Sequence, residues 1–163
     1  MPTIRSATLV HEGHDRFVAT TGTNRTIVYG GVRDTNELSP METVTVSLGA
    51  CSAMDVISIA QKKRQVIARY EIHVEGTQRD AYPQVLTRVD VVHEVEGPGL
   101  EEAAIRRAIE LSATKYCPVN AMLSAGETEV HHRYRIHSTG DGAYEAEGEV
   151  IVTGPYRRPE VVG

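Results

Sequence analysis

The chain has no tryptophan, one phenylalanine and only two cysteines among its 163 residues. With aromatics at 5%, the core has to be built mainly from Val, Ile, Leu, Ala and Met, a composition that suits helices packed on sheet. Two cysteines do not make a disulfide scaffold, and no charged-then-apolar leader precedes Ile4, so the expected compartment is the cytoplasm. There both thiols rest reduced, and a disulfide between them would be transient and catalytic rather than structural. Positive charge is also short, with 17 Lys and Arg against 22 Asp and Glu and a net charge of -5. Nucleic acid and anionic membrane both require a positive field, so neither is an expected partner. Repeats and low-complexity tracts are absent, and the length suits one domain over 1–163.

What is present reads as strands at both ends and helices between them. Up to Gly31 the short apolar runs ATLV, RFVAT and RTIVYGG, separated by Gly, Asn and Asp, read as two or three antiparallel strands. Ser39, Pro40 and Glu42 then carry the signals of a helix start, and the helix should run to about Lys63. Val44, Val46, Leu48, Ala53, Val56, Ile57, Ile59 and Ala60 make it apolar on every face. Such a helix belongs in a core or a bilayer; its length is about the minimum for a bilayer, but Asp55, Gly49 and several serines favour the core.

Further on, Tyr70, Ile72 and Val74 alternate with polar residues, as do Val85, Val89, Val91 and Val95 on a second strand. Leu100, Ala104, Ile105, Ala108 and Ile109 form the stripe of a surface helix, and Pro118 to Gly126 brackets a short one. Val130, His132, Tyr134 and Ile136 alternate again. After Gly140-Asp141-Gly142 a final hairpin strand is expected, with a loose end, and 139–163 reads as a C-terminal extension. The fold class is therefore α+β, with antiparallel sheets.

The two cysteines differ in setting. A helix beginning at Pro118 leaves Cys117 at or beside its N-cap, where free backbone N–H groups favour an anion, and Lys115 lies close by in sequence. Cys51 sits inside the long helix between Gly49, Ala50, Ser52 and Ala53, which let a chain segment or substrate approach the sulfur. A buried thiol there would be inert unless a positive group, with Arg33, Arg16 or Arg25 as candidates, activated it.

The stretches SPMETVTVSLGACSAMDVISIAQKKRQ and IELSATKYCPVNAML together resemble the OsmC/Ohr family of osmotically inducible and organic-hydroperoxide-resistance proteins, in its OsmC-like branch. The resemblance covers the chain to about Ile136. It implies antiparallel sheets around two long central helices in an intertwined homodimer. It also implies a thiol peroxidase with no cofactor, in which Cys51 is peroxidatic and Cys117 resolving, an Arg and a Glu hold Cys51 as a thiolate, and a cellular dithiol is the reductant. Arg33 is the first match for the arginine and Arg16 the second. In the hydroperoxide-reductase branch the Glu follows the Pro of the turn directly. Here Met41 takes that place and Glu42 comes one later, a rotation of about 100° on a helix.

Two other readings compete. An apolar cleft between the helices could hold a hydrophobic ligand, or the thiols could sense redox state without turnover. A metal site finds no support in the spacing of the seven histidines, since His11 and His14 share a turn and His131 and His132 face opposite sides of one strand. His73 and His93 lie on separate strands, and exposed strand histidines are the expectation.

Overall fold

The computed structural model describes residues 1–31 and 37–154, and the chain divides into two compact units, Met1–Val44 and Thr45–Gly163. In the first, β1 (Ala7–His11), β2 (Phe17–Thr21) and β3 (Thr26–Tyr29) form an antiparallel sheet in that order. Asn24, at φ 59°, turns the chain between β2 and β3 in the left-handed region that Asn tolerates. Ala19 is the buried apolar side chain of this sheet, while Leu9 and Val10 are 56% and 57% exposed. A three-stranded sheet with so little covered apolar surface has no core of its own.

Helix α1 (Pro40–Lys62) begins where its sequence signals place it. The Glu42 N–H donates to Ser39 Oγ at 3.2 Å and the Ser39 N–H donates to the Glu42 carboxylate at 2.7 Å, a reciprocal capping box. These Ser39 donors hold the Glu42 carboxyl below its usual range. In the second unit Leu48, Ser52, Val56 and Ala60 follow one another at i,i+4 spacing and are all buried. Gly49 lets the helix lie against β4 (Arg69–Gln78), since a Cβ there would come within 3.0 Å of Val74 Cγ2. By length and composition α1 could cross a bilayer. Here it is a core helix on one side only: Met54 is 73% exposed and Val46 58%.

A four-stranded sheet runs β4, β5 (Leu86–Pro98), β6 (Glu129–Thr139), β7 (Tyr144–Thr153). The outer pairs are antiparallel, but β5 and β6 are parallel, which corrects the expectation of wholly antiparallel sheets. The physical reason is the connection: α2 (Glu102–Leu111), a wide turn over Ser112–Tyr116 and α3 (Pro118–Ser124) cross over the sheet and return the chain in its original direction. The second helix is thus short and interrupted, 10 residues in α2 against 23 in α1. Leu86 rather than Val85 starts the inner row of β5, because a bulge opposite Thr77 and Gln78 of β4 adds Thr87 to β5 and shifts its parity. The expected final hairpin strand is β7.

Ile105, Ala108 and Ile109 of α2 pack with Val56, Val95, Tyr134 and Ile136 to form the core. Not all the histidines are exposed. His73 and His137 are, but His131 is 5% exposed, and His93 and His132 are fully buried. The last two share the inner face with the valines of β5 and β6, and parity alone puts them there. His131 points outward and is closed in by Glu129 and Glu149, at 3.1 and 3.3 Å.

The two inner imidazoles stack with centroids 5.4 Å apart and belong to a directed chain of hydrogen bonds. Asn120 on α3 lies 3.0 Å from the Ala113 carbonyl, which only accepts, so its Nδ2 faces that oxygen and its Oδ1 faces His132. His132 Nε2 therefore donates to Oδ1 at 2.8 Å, and its Nδ1 is left to accept from His93 Nε2 at 3.1 Å. His93 Nδ1 in turn accepts from the Tyr70 hydroxyl at 2.6 Å. With both imidazoles neutral, each of these directions is the one available. Burial first, and a neighbouring imidazole second, push His93 well below its ordinary value and His132 down to about 4.

Both folded-state values are depressed, so below about pH 6.5 the unfolded chain takes up protons that the folded chain refuses. The contribution of the pair is complete above that pH and is lost progressively towards pH 4, at about 1.4 kcal/mol per pH unit for each group. The midpoint of urea unfolding should fall steadily from about pH 6.5 to 5, where ordinary carboxylates stay ionised in both states. A midpoint that is constant over that range would contradict the neutral pair.

Candidate active site

Cys117 is the N-cap of α3, as the Pro118 signal implies: Pro118 takes the first helical position and the Asn120 N–H donates to Cys117 Sγ at 3.3 Å. The preceding turn sets this up. In it the Cys117 N–H reaches the Ser112 carbonyl, five residues back, at 2.9 Å, so the backbone widens before the cap. From α1 the Ser52 hydroxyl points to the same sulfur at 4.0 Å. Cys117 is 2% exposed, whereas Cys51, one residue earlier than Ser52 on the helix, is partly open.

Cys51 and Asp55 stand one turn apart on α1, and both face the Cys117 cap. The two sulfurs and an Asp55 carboxylate oxygen lie within 4.8 Å of one another. Ser112 Oγ fixes Asp55 by donating to Oδ2 at 3.0 Å. The cysteines are both free thiols, so the sulfurs are near enough to bond after a small approach. By chemistry the two thiols and the carboxylate would also suit a thiophilic divalent cation, a set that the histidine spacing did not suggest.

The electrostatics of the cluster are one-sided. Cys51 is pushed up to about 11, first by desolvation, then by its hydrogen bond to Cys117 and the charges of Cys117 and Asp55. The Val119 N–H at the start of α3 acts the other way. Each sulfur thus receives one backbone amide of α3, Val119 for Cys51 and Asn120 for Cys117. Of the four residues expected in the site, Cys51 and Cys117 come together. Glu42 is the capping acid of α1 in the first unit, and Arg33 lies outside the described residues. Arg16, the second choice, is paired with Glu12 and, at 2.8 Å, with Glu37 in the first unit. Asp55, one turn after Cys51, reads from the sequence as a helix residue rather than a general base, and its charge does come close enough to act on the thiol.

The OsmC-like protein family model matches residues 33–133, the span that carries both cysteines. The chain belongs to the OsmC-like family. Protein YhfA of Escherichia coli K12 is 35% identical over 120 residues, which cover 74% of this chain and 89% of YhfA. A crystal structure of an Aquifex aeolicus protein shares the fold at TM-score 0.76 and 27% identity, over 85% of this chain and all of that one. An organic hydroperoxide resistance protein from Elizabethkingia anophelis has TM-score 0.65 over 85% of this chain and 99% of its own. At 11% identity that likeness is one of fold. The OsmC-like fold thus delivers both cysteines, one from a helix and one from a cap, to one place.

Removing the Asp55 charge should make Cys51 easier to ionise. Asp55→Asn should raise the rate of Cys51 alkylation at pH 8 by about two- to fivefold, the effect of roughly half a pKa unit. Measured on the Cys117→Ser background, an unchanged or slower rate would show that Asp55 does not act on the sulfur.

Proposed function

We propose that this OsmC-like protein is a thiol-dependent peroxidase that reduces organic hydroperoxides to alcohols in cytoplasmic defence against oxidative stress. The observation that carries the reading is the approach of an accessible thiol, Cys51, to a buried one, Cys117, within 4.8 Å in a fold shared with a hydroperoxide resistance protein. The Cys51 thiolate attacks the distal oxygen of ROOH, the O–O bond breaks, and the alkoxide leaves as ROH after taking a proton. Cys51 is then a sulfenic acid. The Cys117 sulfur attacks it, the S–S bond forms, and the hydroxyl leaves with the Cys117 proton as water. A cellular dithiol reopens the disulfide by exchange. Small and apolar neighbours of Cys51, Ala50, Ala53 and Met54, favour an alkyl peroxide over hydrogen peroxide, since each buried methylene contributes about 0.8 kcal/mol.

With Cys51 pushed to about 11, the first step requires a positive charge that the cluster itself lacks. Arg33 is our first assignment for it and Arg16 the second, with Glu42 orienting the guanidinium. The protein works as an intertwined homodimer, a reading supported by exposed Met54 and Val46 on α1 and exposed Leu9 and Val10 on β1. The ligand-binding alternative draws less support. Two clefts of the second unit are lined largely by charged groups of the β4–β7 sheet, including Arg69, Glu94, Arg135, Arg88 and Asp90.

Variants separate an enzyme from a binder or a sensor. Cys51→Ser should abolish hydroperoxide consumption, and Cys117→Ser should trap a Cys51 sulfenic acid that dimedone labels. Consumption by Cys51→Ser at the wild-type rate would refute the mechanism. Arg33→Gln should slow the reaction at pH 7 and recover part of the rate as pH rises, because the thiolate is then reached without its help. If the pH profile of Arg33→Gln matches wild type, that arginine is not the activating group. In sedimentation the protein should run near twice 17.8 kDa, and a stable monomer at micromolar concentration would rule out the dimer.

A further inference from the structure

The chain of hydrogen bonds from Tyr70 through His93 and His132 takes no part in the sulfur chemistry, yet it ends against Asn120, whose N–H the Cys117 sulfur caps. We propose that Asn120 is a positioning residue for the disulfide-forming step, held in place by His132 and His93. This rests on reading Cys117 as the resolving thiol.

Asn120 is fully buried, and all its polar groups but the backbone carbonyl have named duties around Cys117. Its N–H donates to Cys117 Sγ at 3.3 Å. Its Nδ2 donates to the Ala113 carbonyl at 3.0 Å and to Thr153 Oγ1, at the end of β7, at 2.9 Å. Its Oδ1 accepts from His132. Ala113 and Asn120 flank Cys117 in sequence, four residues before and three after, so one carboxamide closes a loop around the cysteine and ties it to β6 and β7. Leucine at Asn120, His132 and His93 alike would fill the space without the cost of burying an amide and two imidazoles. The polar layer instead fixes a direction, because with both imidazoles neutral every donor and acceptor from Tyr70 to Ala113 has one available assignment.

Disulfide formation tolerates little error in position, with Cα atoms about 4.4–6.8 Å apart and a bond of about 2.05 Å. Cys117 must close from within 4.8 Å of Cys51. Asn120 sets where it starts from, and His132 and His93 keep the carboxamide from turning over. The attack on a peroxide comes from Cys51 on α1, and Cys117 bears on that step only through the hydrogen bond and charge that push the Cys51 thiol up.

The test measures the two steps apart in wild type and Asn120→Leu at pH 7. With an organic hydroperoxide, loss of the Cys51 thiol should be no slower than about half the wild-type rate, while closure to the disulfide slows at least tenfold and dimedone labelling of Cys51 accumulates. Diamide, which oxidises a thiol pair without a peroxide, should show the same slow closure. If wild type ignores the hydroperoxide, the peroxidase reading fails, and the diamide comparison still decides the role of Asn120. Should Asn120→Leu not fold, His93→Leu takes its place, with His93→Gln, which keeps a donor and an acceptor, expected to restore the rate. Closure at the wild-type rate in the folded variant would overturn the proposal. So would imidazole ¹⁵N shifts placing the His132 proton on Nδ1.

Discussion

The carbonyl oxygen of Ala113 can accept a hydrogen bond and cannot donate one, and the orientation of the whole buried polar layer follows from that. It turns the Asn120 amide nitrogen towards itself, which turns Oδ1 towards His132, which fixes both imidazole tautomers as far as the Tyr70 hydroxyl. The same Asn120 spends its backbone N–H on Cys117. Sheet, wide turn and cap are thereby coupled through one side chain. Among the described residues no buried side-chain polar atom lacks a partner, the condition under which such a layer specifies a single arrangement.

Across from this satisfied layer stands a cluster that is electrostatically incomplete. Two thiols and a carboxylate converge, and Cys117 and Asp55 both make ionisation of Cys51 harder. Backbone amides of α3 offset part of this, but α3 has only seven residues and acts through single N–H groups rather than a long dipole. A guanidinium and a second copy of the chain, as we propose, would complete the charge and cover the apolar sides of α1 and β1. Both needs arise from the same fact: the helix that carries Cys51 is apolar all round but covered on one side.

Much of this was legible in the sequence because it is local. The capping box at Ser39 and Glu42 and the Cys117–Pro118 cap depend on residues within one turn, and both stand where the residues put them. The inner row Val130, His132, Tyr134 and Ile136 follows from period-two alternation. The fate of the histidines could have been read from the same parity, since His93 falls in step with Val91 and Val95. A general preference of histidine for the surface hid it. Parallel pairing of β5 and β6 is a non-local fact, hinted at only by the helices between them. Asn120 was missed because its importance comes from three partners that lie 7, 12 and 33 residues away in sequence. For the activating cation the sequence puts Arg33 before Arg16, on its place beside the Pro40 turn alone, and Arg33 lies outside the described residues.

The most direct measurement is the mass of the reduced protein before and after one equivalent of an organic hydroperoxide, followed by peptide mapping without reduction. A loss of two hydrogens per chain and a single linked peptide joining Cys51 to Cys117 of the same chain is the result predicted here. If the mass shows only added oxygen, or the linkage joins cysteines of different chains, the two sulfurs are not a working pair.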